Sequence, residues 1–277
     1  DQLKTVQVIA TGSSAFELAN KTNEPLTGRK YEMYLFPFSY SELVNEFGFI
    51  EEKRQLEQRL IYGAYPEIVV NANDAEEHIK LLANSYLYKD LFRLEQISKP
   101  ALLEKIVKAL ALQIGSEVNY NELSQLVQAD NKTIEKYIDL LEKAFVVFRL
   151  PALNKNVRNE IKKGKKFYFY DNGIINAVTG NFSPIHKRSD VGHLWENYVI
   201  SERRKYLFQH QLSYESYFWR TTQQQEIDYI ELQKNNYLAV EIKWNPKSKV
   251  KFSTTFSGAY KHKELVVTPE NIEELLM

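Results

Sequence analysis

One stretch near the C-terminus constrains the chain more than any other: Glu226-Ile-Asp-Tyr-Ile-Glu-Leu-Gln-Lys-Asn-Asn-Tyr-Leu-Ala-Val-Glu-Ile-Lys-Trp244. Apolar and aromatic residues flank the turn-prone Gln233-Lys-Asn-Asn236, which predicts strands over 226–232 and 237–244. If that loop closes tightly, Asp228 falls opposite Glu241. Cross-strand partners share a face with Cβ atoms ~5 Å apart, where two like charges repel. A hard divalent cation, Mg²⁺ or Mn²⁺, removes that repulsion, because carboxylate oxygens suit such ions. Lys243, two residues beyond Glu241, lies on the same face because side chains alternate along a strand. Asp228 and Glu241 are therefore candidate metal ligands. Together with Lys243 they can hold a metal, polarise a phosphoryl oxygen and position a water. The plainer alternative is a polar hairpin face.

Composition sets the outer limits. A chain of 277 residues has room for two or three compact units. Its 36 basic and 36 acidic residues cancel, so an anionic partner must be met by local patches. Hydrophobic content of 44% and aromatic content of 13% indicate a folded chain. Without cysteine there are no disulfides or thiolate zinc sites, which fits a reducing, cytoplasmic setting. The scattered histidines do not pair at metal-ligand spacing. No apolar run approaches the ~20 residues of a membrane span, so no membrane partner is expected. The chain opens at Asp1 inside what reads as a structural element, as a fragment would.

The N-terminal fifty residues read as strand 5–10, a Thr11-Gly-Ser-Ser14 turn into a helix, strand 31–36, and a helix over 39–47. Ser39 or Ser41 caps the last helix, with Glu42 in its first turn. That order implies a parallel sheet, and two strands alone make a poor one, so more of the sheet is expected upstream. Residues 51–98 have helical spacing broken at Gly63-Ala-Tyr-Pro66, a small helical lid. Residues 99–180 give helices 100–114, 119–127 and 131–144, then strands 145–150 and 166–170, the plan of a winged helix-turn-helix. The loop between those strands carries Lys155, Arg158, Lys162, Lys163, Lys165 and Lys166 against one acid, Glu160, and is a candidate DNA-backbone contact. It reads equally as a solvated hairpin. A further run of lysines, Lys247, Lys249, Lys251, Lys261 and Lys263, follows the 226–244 segment.

Two resemblances add to this reading. Asp228 and Glu241-x-Lys243 on adjacent strands resemble the PD-(D/E)XK nuclease core, which also carries an acid on the preceding helix. Here Leu194–Leu207 has helical spacing and supplies Glu196, so the resemblance implies a catalytic set of Glu196, Asp228, Glu241 and Lys243. Over nearly the whole chain, Thr11-Gly-Ser-Ser14, Leu26-Thr-Gly-Arg29, Pro37-Phe-Ser39, Tyr62-Gly-Ala-Tyr-Pro66 and Tyr86-Leu-Tyr-Lys-Asp90 resemble a family of bacterial and archaeal AAA+ ATPases with a C-terminal domain of unknown function. That resemblance implies that Ser13 and Ser14 form the nucleotide sensor of a longer ATP-binding parent and that Arg29 is a candidate arginine finger. A capping turn and a solvated arginine are the structural alternatives. No Gly-x-x-x-x-Gly-Lys-Ser/Thr occurs, so ATP turnover is not expected of this chain itself.

The expected architecture is α/β and multidomain: an AAA+ core remnant (1–50), a lid (51–98), a winged helix (99–180) and a PD-(D/E)XK-like domain (181–277). The expected function is the C-terminal portion of a prokaryotic ATPase that binds DNA and carries a metal-dependent nuclease site. The competing expectation is a non-enzymatic interaction module with a degenerate nuclease fold. DNA, the upstream ATPase portion and further copies of the chain are the partners considered.

Overall fold

The computed structural model of the chain describes residues 31–85, 99–153 and 164–277, together with 9, 11 and 12. Ser13, Ser14, Arg29, Lys155, Arg158, Lys162 and Lys163 lie outside the described residues, as do most of the strand expected at 5–10 and the segment 86–90.

The strand expected at 31–36 is not one among the described residues. Residues 31–35 are exposed, Tyr34 included at 44%, although Tyr34 meets Phe145 edge-on at 5.4 Å and the half-buried Phe36 stacks on Tyr170 at 5.3 Å. A strand needs a ladder partner as well as alternation, and no described strand lies beside it. The next helix, α1 (Tyr40–Phe47), begins as the sequence predicts. Ser39 accepts the Glu42 N–H and Glu42 accepts the Ser39 N–H, a capping box. Four short helices follow, α2 (Phe49–Arg54), α3 (Leu56–Tyr62), α4 (Pro66–Val70) and α5 (Ala75–Ala83).

Between 99 and 180 the expected elements are found: α6 (Pro100–Leu112), α7 (Tyr120–Val127), α8 (Asn131–Lys143), β2 (Val147–Pro151) and β3 (Lys165–Phe169). Asn119 and Asp130 cap α7 and α8 through their side chains. A two-residue strand, β1 (Glu117–Val118), is too short for any sequence pattern and completes an antiparallel sheet in the order β1-β3-β2. Helix α9 (Asn172–Thr179) leads into the long α10 (Val191–Gln209). A second sheet, β4 (Glu215–Arg220), β5 (Glu226–Gln233), β6 (Asn236–Ile242) and β7 (His262–Val267), is antiparallel through β6. β7 then runs parallel to β6 after the crossover helix α11 (Thr254–Ala259), and α12 (Glu273–Leu276) closes the chain.

The main hydrophobic core draws on residues from Tyr40 to Leu276, and a smaller cluster of Leu153, Trp219, Ile227, Ile230, Ala239 and Phe256 packs the other side of the second sheet. Phe167 and Phe169, at most 1% exposed, each contribute roughly 1.5–3 kcal/mol by burial. A polar seam crosses this core. The Asp171 carboxylate accepts the Ala64 N–H at 2.7 Å and the Gly173 N–H at 2.8 Å. Gly63 sits at φ +79°, and a Cβ there would lie 1.8 Å from Asp171 Oδ1, so the Tyr62–Pro66 turn fits only around glycine. Asn197 donates to Asn172 Oδ1 at 2.7 Å and to the Phe169 carbonyl at 3.1 Å, while Asn176 donates to the Ile61 carbonyl at 2.7 Å. Helix α10 is buried on nearly all sides because its charges are paired inside, Glu202 with Lys205 at 2.5 Å and Arg203 with Glu231 at 2.6 Å. No helix among the described residues is long and apolar enough to cross a membrane.

Candidate active site

The β5–β6 hairpin has the register expected from its sequence. Its ladder runs from Gln233↔Asn236 to Tyr229↔Val240 around the two-residue turn Lys234-Asn235, whose φ angles of 47° and 67° match a type I′ turn. At Asp228 regular pairing stops. Tyr217 opposes Ile230 and Trp219 opposes Ile227, so β5 holds one more residue than β4 between those pairs, a bulge at Asp228–Tyr229. The Asp228 carboxylate takes the Ile242 N–H at 2.8 Å. Lys243 Nζ lies 2.9 Å from Asp228 Oδ2 and 2.7 Å from Glu241 Oε2. Asp228, Glu241 and Lys243 therefore meet at one point, with the Lys243 ammonium between the two carboxylates.

Electrostatics follow from that crowding. Burial first, and the Asp228 charge second, push the Glu241 carboxyl up to about 7, against the pull of Lys243. Burial works against the Lys243 ammonium, but Asp228 and Glu241 more than compensate and hold it charged well above the usual lysine range.

Glu196, on the first turns of α10, belongs to the same neighbourhood without joining that point. It accepts the Tyr168 hydroxyl at 2.6 Å and lies 3.3 Å from Lys166 Nζ. Its carboxyl is raised by burial and, beyond the opposing Lys166, by the Asp228 charge. Gly115, at φ +72°, leaves it room, since a Cβ there would come within 2.9 Å of Glu196 Oε2. Lys166 corrects an expectation. The sequence places it in a basic loop able to face a phosphate backbone, yet its side chain is 2% exposed and lies 2.6 Å from Glu226 Oε1. On β3 the Lys166 side chain faces inward, and burial of its ammonium is more than offset by Glu196 and Glu226. Lys165 stays half-buried with its ammonium over the Tyr120 ring.

Sequence reasoning thus missed Tyr168 and the pairing of Lys166 with Glu226. The available signal was the spacing of Lys166 and Tyr168, two apart on one strand and hence on one face. Among the described residues, no three Asp, Glu, His or Cys side chains converge closely enough to hold a metal ion. Asp228 and Glu241 nevertheless converge on one positive charge, with the Lys243 ammonium standing in for a cation. Their chemistry fits a hard divalent ion once that ammonium moves aside.

Comparison with known proteins divides the chain into three matched parts. Residues 1–44 match an AAA domain, residues 53–184 a domain of unknown function (DUF8612), and residues 191–274 a domain of unknown function (DUF4143). The chain is 26% identical over 212 residues to an uncharacterized protein of Haemophilus influenzae, covering 72% of this chain and 52% of that protein. It is 27% identical over 156 residues to uncharacterized proteins of Mycobacterium tuberculosis and Mycobacterium bovis, covering 55% of this chain and 34% of each of them. The chain therefore spans about half the length of the first relative and about a third of the others. No solved structure matches. The AAA match falls on the segment whose Thr11–Ser14 and Leu26–Arg29 motifs resemble AAA+ ATPases, and it associates the chain with an ATPase-like protein.

Proposed function

We propose that this chain is the DNA-engaging part of an AAA-family ATPase-associated protein and cleaves phosphodiester bonds at a metal-dependent site on β5 and β6. The observation that carries this reading is the meeting of Asp228, Glu241 and Lys243 around one positive charge, with Glu196 close by. In support, the helix–strand–helix–helix–strand–strand order of residues 100–169, with sheet order β1-β3-β2, has the plan of a winged helix. A long helix followed by a sheet with paired carboxylates on adjacent strands agrees with a PD-(D/E)XK-like domain. ATP turnover belongs, in this reading, to the longer parent.

Asp228 and Glu241 would hold Mg²⁺ or Mn²⁺, which when bound polarises a phosphoryl oxygen and makes a bound water acidic. The chain's own groups do the rest. Lys243, freed from between the carboxylates, offers its N–H donors to charge developing on the phosphate. Tyr168 and Lys166 hold Glu196 in place from the floor of the site. Ile242 N–H fixes the Asp228 carboxylate against β6.

One observation favours the alternative, a non-enzymatic interaction module. Each carboxylate here already has a lysine partner, Lys243 or Lys166, so the ionic cluster is satisfied without a metal. Plasmid cleavage separates the two readings. With Mn²⁺ the chain should nick supercoiled DNA, and Asp228→Asn should lower the rate at least 100-fold, while EDTA abolishes it. Equal nicking by Asp228→Asn, or none by the unaltered chain, favours the module.

A further inference from the structure

Two loops border the carboxylate cluster. The β4–β5 turn, Thr221-Thr-Gln-Gln-Gln225, is uncharged, and Thr222, Gln223 and Gln224 are exposed. Arg220 at its base lies 3.7 Å from Glu226 and 3.8 Å from Glu117, so its charge is turned toward the floor of the site. The second loop runs from Trp244 to Ser253. It leaves β6 at Lys243, a member of the site, and returns beside it, where Ser253 Oγ donates to Gln225 Oε1 at 2.9 Å. Both ends are thus tied to the rim. Between them Lys247, Lys249 and Lys251 are exposed, and the last two alternate with half-buried Val250 and Phe252. Phe252 packs beneath β4–β6 with Trp219, Ile227 and Phe256. From 244 to 263 there is no Asp or Glu. None of the three loop lysines pairs with a described carboxylate.

We propose that Lys247, Lys249 and Lys251 form a phosphate-backbone contact surface that seats a nucleic-acid strand against the site. This rests on the reading of that site as one that acts on nucleic acid. A cluster of carboxylates repels a polyanion, so an approach to it needs positive charge at the rim, and a chain of zero net charge must supply that charge locally. The loop supplies it where both of its ends touch the site. The loop's aromatic residues, Trp244 and Phe252, pack inward, which leaves no exposed aromatic anchor of the kind a protein interface or a membrane-surface segment uses. Lys261 and Lys263 belong elsewhere. They flank His262, which pairs with Tyr237 near the Lys234-Asn235 turn, at the end of β6 away from Glu241.

The test uses the whole chain in EDTA, with a fluorescein-labelled 30-nucleotide strand and a 30-base-pair duplex, read by anisotropy at several salt concentrations. Lys247→Glu/Lys249→Glu/Lys251→Glu should weaken binding at least tenfold at low salt. It should also flatten the duplex salt slope by roughly two to three, since each lost phosphate contact removes about 0.9 from it. The matched variant Lys234→Glu/Lys261→Glu/Lys263→Glu carries the same charge change and should stay within twofold of the unaltered chain. Should the first variant fail to fold, Lys249→Gln/Lys251→Gln should give a smaller loss of the same kind. Equal losses in the two triple variants, no binding by the unaltered chain, or binding to anionic phospholipid vesicles in preference to nucleic acid would each overturn the proposal. Salt-dependent binding through these lysines without cleavage in Mn²⁺ would leave the surface standing and remove the nuclease reading alone.

Discussion

Lys243 and Lys166 each sit between two carboxylates, and their surroundings give them different work. Lys243 is 33% exposed at the end of β6, and its partners Asp228 and Glu241 come from the same hairpin. Lys166 is 2% exposed on β3, and its partners Glu196 and Glu226 come from α10 and β5. The first pairing is local, and its ammonium reaches solvent. The second joins elements far apart in sequence and is buried, so its ammonium is part of the fold. The site therefore has a solvent-facing lysine and a buried one at its floor. The floor also crosses the boundary between the 53–184 and 191–274 matches.

The sharpest way to break this comparison is to remove each ammonium. Lys166→Met strands two partly buried carboxylates and should cost about 3 kcal/mol of stability in urea unfolding. Lys243→Met should cost less than about 1.5 kcal/mol, because the ammonium it removes is itself 33% exposed and Glu241 can take up a proton. Equal losses would erase the distinction. Next in size, Gly115→Ala should cost about 1–2 kcal/mol, since it strains a positive φ and crowds Glu196 from the floor side.

A further contrast is a pH slope. The folded chain holds Glu241 up to about 7, above the ~4.3 of an unfolded glutamate, so between those values the folded state binds more protons than the unfolded state. Stability should fall as pH rises through that window. Glu196, Glu202 and Asp171, raised by burial, add to the same trend. Glu241→Gln should flatten the slope by up to about one proton, or ~1.4 kcal/mol per pH unit at its steepest. An unchanged slope would mean that Glu241 is not crowded as described.

The same contrast explains what was legible in the sequence. The hairpin register, the Ser39 cap and the helices of 100–143 depend on neighbours in the chain, and local patterns encode them. So does the meeting of Asp228, Glu241 and Lys243, although the bulge that re-aims Asp228 depends on β4 and left no local mark. Lys166 resembles a loop lysine because its composition matches its neighbours, and only the packing of β3 against α10 and β5 buries it. The stretch 31–36 fails in the opposite direction, since its strand-like alternation carries no information about a ladder partner.

The central claim is that Asp228 and Glu241 can exchange the Lys243 ammonium for one divalent cation. Titrating the whole chain with Mn²⁺ and following free Mn²⁺ by electron paramagnetic resonance tests it directly. The account predicts uptake of one ion per chain that is lost in Asp228→Asn. No uptake by the unaltered chain, or the same uptake by Asp228→Asn, would contradict it.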